Sequence, residues 1–300
     1  MWIGLIIIIT VLLLIILLSN YIYNMAIRRN KAGSSNNSEL VKGVVDKYKK
    51  WWNSQNFEQI EITSFDGLKL VSYYLPAKEK SNKTLIMAHG HSSYAQETGC
   101  MVEYYYSQGF NVLVPDNRAH GKSQGTAVGM GWLDRLDYLK WIDTVIELNG
   151  ADTEIVLHGM SMGASALMFL SGETLLSNVK CIIEDSGYTS LKELFKLKLN
   201  KLPSFPIIHI ASLICKLRAN YFFSDANCRK QVEKSNVPIL FVHGSKDPDV
   251  PEKMVHELYD LANCEKELFI AKNSGHVEAF ITDRDDYIIA MENFYKKYIS

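Results

Sequence analysis

The pentapeptide Gly159-Met160-Ser161-Met162-Gly163 constrains this chain more than any other feature. An apolar run, Ile155-Val156-Leu157-His158, precedes it, and Ala164-Ser165-Ala166-Leu167-Met168-Phe169-Leu170 follows with the pattern of a helix. That is strand, tight turn and helix, with a serine at the apex. Such an elbow holds the serine in a strained conformation, its hydroxyl exposed above the sheet edge. The flanking glycines suit it, because a side chain there would crowd the packed strand and helix. A lone G-x-S-x-G arises often by chance. The strand-to-helix setting is what makes Ser161 a candidate nucleophile.

A serine hydroxyl needs a base to take its proton and an acid to orient that base. Downstream, Pro238-Ile239-Leu240-Phe241-Val242-His243-Gly244-Ser245-Lys246-Asp247 reads as an apolar strand running into a turn. Asp247 falls just past that strand; Asp249, two residues on, is the competing carboxylate. A short strand, Glu267-Leu268-Phe269-Ile270, then leads to the polar loop Asn273-Ser274-Gly275-His276. A turn aspartate is ordinarily only a turn residue, and a loop histidine a solvated one. Asp247 and His276 stand out because each falls at the end of a predicted strand. His158 and His243, also at strand ends, are expected to pack or hydrogen-bond locally.

An acyl-transfer site also needs donors for the oxyanion. Leu85-Ile86-Met87-Ala88-His89-Gly90-His91 is an early apolar strand ending in His-Gly-His. The backbone N–H groups of His91 and Met162 are the two expected donors. The His91 imidazole either faces the pocket or takes no part.

Taken together, these residues resemble the α/β-hydrolase superfamily, whose members carry Ser, Asp or Glu, and His in this order. Three more stretches carry the resemblance. Asp116-Asn117-Arg118-Ala119-His120-Gly121-Lys122-Ser123 is similar to a D-x-R-x-H-G-x-S loop after an early strand. Glu184-Asp185-Ser186-Gly187-Tyr188 is similar to the strand end before the cap. Phe65-Asp66-Gly67-Leu68 is similar to the opening β-hairpin, with Asp66-Gly67 as its turn. The resemblance spans roughly residues 57–299. Its nearest branch is the membrane-anchored bacterial hydrolases of the BEM46-like, serine aminopeptidase (S33) and monoacylglycerol lipase-like group. It implies that Asp116, Arg118 and His120 shape a loop behind the site and are structural.

Strands are predicted near 58–63, 68–75, 84–89, 110–115, 154–158, 180–185, 238–243 and 266–270. Helices are predicted near 95–107, 132–148, 162–171, 251–262 and 285–298. An opening hairpin followed by alternating strand and helix predicts an α/β class with a mostly parallel sheet and helices on both faces. More than fifty residues separate the strands at 180–185 and 238–243. That exceeds one crossover helix, so a helical cap is expected over about 189–236. Two helices, 191–200 and 206–221, are interrupted by Pro203 and Pro206. Residues 191–235 hold nine lysines and arginines against Glu193, Asp225 and Glu233. That basic surface is either a solvated helix face or a face toward anionic headgroups.

The N-terminus is the second strong signal. Residues 2–18 carry no charge, and the uncharged run extends to about Ile27. Some twenty residues at ~1.5 Å each cross a ~30 Å hydrocarbon core. Trp2, Tyr21 and Tyr23 sit where interfacial aromatics belong. No basic residue precedes the run and no small-residue cleavage motif follows it, so an uncleaved anchor over 1–27 is expected rather than a signal peptide. Arg28, Arg29 and Lys31 then leave the body on the cytoplasmic side. Five cysteines without metal spacing agree with a reducing compartment. Residues 28–56 are expected to form a linker, 31–38, and a helix, 39–56, at the entrance of a domain spanning 57–300. Trp51 and Trp52 of that helix either pack on the body or touch the bilayer.

A net charge of −1 argues against a nucleic-acid partner. No phosphate loop or dinucleotide fingerprint is present, and no metal or cofactor is implied. The expected activity is a membrane-anchored serine hydrolase acting on lipid or small acyl esters. An S33-type peptidase or amidase is the alternative within hydrolases. A non-catalytic, membrane-tethered binding module is the alternative outside them.

Overall fold

The computed structural model describes residues 2–29, 39–199 and 202–300, with the backbone alone at 39–42. The expected linker at 31–38 lies outside the described residues. Among the described residues, eight strands form one sheet: β1 (Glu58–Thr63), β2 (Lys69–Leu75), β3 (Lys83–Ala88), β4 (Asn111–Pro115), β5 (Glu154–Met160), β6 (Val179–Asp185), β7 (Ile239–Gly244) and β8 (Lys266–Ala271). Their spatial order is β1-β2-β4-β3-β5-β6-β7-β8. β1 and β2 form the expected antiparallel hairpin, β2 pairs antiparallel with β4, and every pairing from β4 to β8 is parallel.

The central strands are buried on both faces, as a parallel sheet covered by helices requires. Successive side chains alternate between two cores. Ile86 and Leu157 join one core, with Tyr138, Trp141 and Leu167. Leu85, Met87 and Val156 join the other, with Tyr105, Phe110 and Phe294. Two helices precede the sheet, the almost wholly apolar α1 (Trp2–Ala26) and the amphipathic α2 (Glu39–Asn53). Alternating with the strands are α3 (Gly99–Ser107), α4 (Asp134–Asn149) and α5 (Met162–Leu170). The predicted helix at 95–107 begins instead as a 3₁₀ turn, Ala95–Thr98.

Between β6 and β7 lie α6 (Leu191–Leu199), α7 (Ile207–Ala219) and a short α8 (Arg229–Val232). After β7 come α9 (Lys253–Leu261), a one-turn α10 (Ala279–Thr282) and α11 (Arg284–Tyr295). The last helix stops at Tyr295, short of the expected 298. The short α8 and α10 have too few residues to show a helical period and escaped the sequence pattern.

Trp51 and Trp52 pack on the body. The Trp52 indole stacks on Phe57 at 3.9 Å and meets Tyr73 edge-on, while Trp51 meets Phe57 and Tyr106 edge-on. The loop after β4 is clamped by Arg118. Its Nε and Nη2 donate to Asp137 at 2.8 Å each, and its Nη1 donates to Asp66 Oδ2 at 2.9 Å. Asp66 is therefore more than a turn residue: it ties the β1–β2 hairpin to that loop.

The sequence starts the body at residue 57, yet the chain packs on it from Ile15. Ser19 Oγ donates to the Ile207 carbonyl of α7, and Ile22, Tyr23, Ala26 and Ile27 are buried in the first core. Arg29 N–H donates to the Thr126 carbonyl, and its guanidinium donates to the carbonyls of Gly121 and Ser123.

Candidate active site

The elbow forms because β5 runs straight into α5 with no room for side chains between them. A Cβ on Gly159 would lie 2.6 Å from the Gly163 carbonyl, and one on Gly163 would lie 2.2 Å from the Ala88 oxygen. Ser161 between them sits at φ 54°, ψ −115°. A non-glycine residue holds such torsions only where its surroundings force it. Here the Ser161 N–H is tied to the Asp185 carbonyl at the end of β6, at 2.7 Å. Strain in the backbone thus aims the hydroxyl upward, at the C-terminal end of the sheet.

Ser161, His276 and Asp247 come together there. The His276 Nε2 lies 2.7 Å from Ser161 Oγ, and its Nδ1 lies 2.6 Å from Asp247 Oδ2. The carboxylate accepts, so Nδ1 carries the proton and Nε2 is free to accept from the serine. The Asp247 side chain is fully buried, its other oxygen accepting the N–H groups of Asp249 and Val250. Asp247, which the sequence favours over Asp249, is the carboxylate hydrogen-bonded to the histidine. Asp249 is half-exposed on the cavity wall and pairs with Lys198 of α6.

Charge follows geometry. Burial pushes the Asp247 carboxyl up, but the His276 hydrogen bond and charge, with the two backbone donors, outweigh it and leave it below the ordinary range. Burial pushes the His276 imidazole down. The Asp247 hydrogen bond, and the charges of Asp247, Asp249 and Asp185, outweigh that and lift it above its usual value.

The loop after β3 is held by three histidines, of which only His89 had been given no role by the sequence. His89 Nε2 accepts the Asn117 N–H at 2.9 Å, and His120 Nε2 accepts the Ser92 N–H at 3.2 Å. Each ring's Nδ1 donates to a backbone carbonyl, Gly90 or Arg118. Both rings are therefore neutral, and burial pushes both imidazoles below their usual pKa. His120, expected to be structural, fixes Ser92 at φ 59°. His91 follows Gly90, and Gly90 faces Ser161, where a Cβ would sit 3.4 Å from the serine Cβ.

The His91 ring does not aim at the serine. Its Nε2 donates to the Ala26 carbonyl at 2.9 Å, and its Nδ1 accepts from Ser92 Oγ. Met162 is the first residue of α5, so its N–H is one of the helix-end donors with no partner inside the helix. Asp185 also supports the site. Ser186 Oγ and Tyr287 Oη both donate to it, and Ser186 Oγ accepts the Val277 N–H beside His276. The signal for Asp185 was its place at the end of a central strand. His158, between Tyr105 and Tyr287, and His243, bonded to the Val250 carbonyl, hydrogen-bond locally.

Ser161 and His276 open onto a cavity of about 900 Å³. Its walls come from the loop after β3, from Leu194, Phe195 and Lys198 of α6, and from Met25 and Ala26 of α1. Among the described residues, no group of three His, Cys, Asp or Glu side chains is placed to hold a metal ion.

The family described as serine aminopeptidase, S33, matches residues 79–183, from just before β3 through the elbow to β6. The chain is 27% identical over 248 residues to the Bacillus subtilis protein YqkD, covering 80% of this chain and 81% of that protein. It is 25% identical over 221 residues to bem46 of Schizosaccharomyces pombe, 72% of this chain and 69% of that protein. It is 21% identical over 233 residues to the Saccharomyces cerevisiae membrane protein YNL320W, 76% of each. Among solved structures, the Pyrococcus furiosus esterase Pf2001 superposes with a TM-score of 0.68 at 22% identity, covering 90% of this chain and all of that one. Sheet order, elbow and relatives agree: the chain has the α/β-hydrolase fold and is similar to the BEM46-like and S33-type group.

Proposed function

We propose that this protein is a membrane-anchored serine hydrolase that cleaves carboxylic esters through an acyl-enzyme. The observation that carries the reading is the hydrogen-bonded line Asp247–His276–Ser161 at the mouth of the cavity. Ser161 Oγ attacks the ester carbonyl as His276 Nε2 takes its proton. Asp247 holds the tautomer and stabilises the imidazolium. The oxyanion is received by the N–H groups of His91 and Met162, the latter at the positive end of α5. Collapse of the tetrahedral species expels the alcohol, protonated by His276. Water, deprotonated by the same imidazole, then releases the acid and restores Ser161.

The anchor is α1, the membrane-spanning candidate among the described residues, and the yeast relative's description as a membrane protein agrees. The cytoplasmic side is the orientation favoured by Arg28 and Arg29.

A fluorophosphonate probe and a panel of p-nitrophenyl esters test the chemistry on the full chain in detergent. Ser161→Ala is expected to abolish covalent labelling and lower kcat by about 10⁶-fold, with an unchanged circular-dichroism spectrum. Labelling that persists in the variant refutes the assignment. The S33 description favours a second reading, amide cleavage. An aminoacyl-anilide in the same panel separates the two, and turnover of the anilide alone would replace ester with amide.

A further inference from the structure

We propose that the end of the anchor helix is a wall of the substrate pocket, and that the site draws a membrane-resident acyl ester directly from the bilayer past it. This rests on the ester-hydrolase reading above and names the substrate class of that same site.

The first observation is where α1 ends. Met25 and Ala26 line the cavity that holds Ser161. The Ala26 carbonyl also accepts a hydrogen bond from His91 Nε2, so the helix end positions the loop beside the nucleophile. A detached anchor would need neither contact.

The second is depth. A ~30 Å hydrocarbon core takes about twenty helical residues, which places its boundary near Tyr21. Tyr21 is exposed, as an interfacial aromatic is. Met25 lies four residues further, roughly 6 Å along the axis, within the headgroup layer. Arg218 sits at the same level: its Nη1 donates to Asn20 at 2.8 Å, and its guanidinium lies 5.2 Å over the Tyr23 ring. A cation at this depth meets lipid phosphates.

The third is the apolar surface beside α1. α7 packs on α1 and buries Ile207, Ile208, Ala211 and Cys215. Its opposite face carries Leu213 and Leu217, the latter 77% exposed, and Phe205 just before the helix is 73% exposed. Exposed side chains of this size, adjoining a helix built for hydrocarbon, fit a bilayer surface better than water. An ester whose acyl chain lies in the outer part of the bilayer would then reach Ser161 without crossing water, its chain received by Met25, Met130, Leu194 and Phe195.

The test uses the full chain reconstituted in phosphatidylcholine vesicles. Two substrates are compared: water-soluble p-nitrophenyl butyrate, and a fluorogenic long-chain acyl ester embedded in lipid. The embedded ester is supplied either in the enzyme's own vesicles or in separate ones. Turnover in the shared vesicles is expected to exceed that in separate vesicles by about tenfold or more; equal turnover overturns the proposal. In a second arm, Leu213→Asp with Leu217→Asp is expected to lower kcat/KM on the embedded ester by about tenfold and leave the soluble ester unchanged. Equal loss on both substrates, or loss on neither, overturns it too. If the wild type cleaves neither ester and takes no fluorophosphonate, the ester reading itself falls, and this proposal with it.

Discussion

The Asp247 carboxylate does two separable things to His276: it sets the tautomer through a 2.6 Å bond to Nδ1, and it raises the imidazole's proton affinity. Asp247→Asn removes the charge and turns the ring. We expect kcat on a soluble ester to fall by about 10⁴-fold. Asp249→Asn breaks a half-exposed pair with Lys198 and removes a charge that acts on His276 less than Asp247 does, while the Nδ1 hydrogen bond stays; it is expected to change kcat by about twofold or less. Equal losses in the two variants would refute the choice between them. The direction of the His276 shift fixes the pH profile. As the proposed base, His276 works only when neutral, and its pKa is raised above the ordinary ~6.5. Ester kcat/KM is therefore expected to rise with pH through an apparent pKa above that value, and to be lost below it. A midpoint below it would contradict the raised imidazole.

At the scale of elements, the sheet positions the chemistry and the flanking segments hold the sheet's loops. The elbow belongs to the junction of β5 and α5. The loop after β3 is held by His89 and His120, and the loop after β4 by Arg118. α2 covers the second core through Trp52, which is buried between Phe57 and Tyr73. Trp52→Ala is expected to cost about 3–5 kcal/mol, read as a lower thermal midpoint in detergent. A change within the error of the measurement would mean that α2 does not dock as described. The tryptophan pair illustrates a limit of local reading. Two aromatics on an amphipathic helix beside a membrane segment suit a bilayer and a core equally well, and only the position of Phe57 and Tyr73 decides.

At the scale of the whole molecule, the apolar helix α1 and the body are one packed unit. The apolar helix predicts that the full chain stays with membranes through an alkaline carbonate wash; release into the supernatant would exclude a spanning helix. Arg29 shows how the two parts share residues. In sequence it is a topology signal next to an apolar run, while in the structure its guanidinium clamps the Gly121 and Ser123 carbonyls. A charge that sets orientation and a charge that holds a loop look alike in sequence.

What the sequence determined by itself was what depends on neighbours along the chain. Apolar period marked the eight strands, glycine spacing marked the elbow at Ser161, and strand ends marked Asp247 and His276. Seventeen uncharged residues marked a helix able to cross a membrane. These signals are local because backbone torsion and side-chain alternation are local. The sequence favoured Asp247 over Asp249 by its place past a strand, but only the tertiary structure shows which carboxylate is turned inward to a histidine 29 residues away. Only it joined Arg118 to Asp66, and Ala26 to His91 across 65 residues. An apolar helix buries its last turn in protein or in lipid with the same side chains. The packing of α1 against α7 is what makes that turn a wall of the pocket.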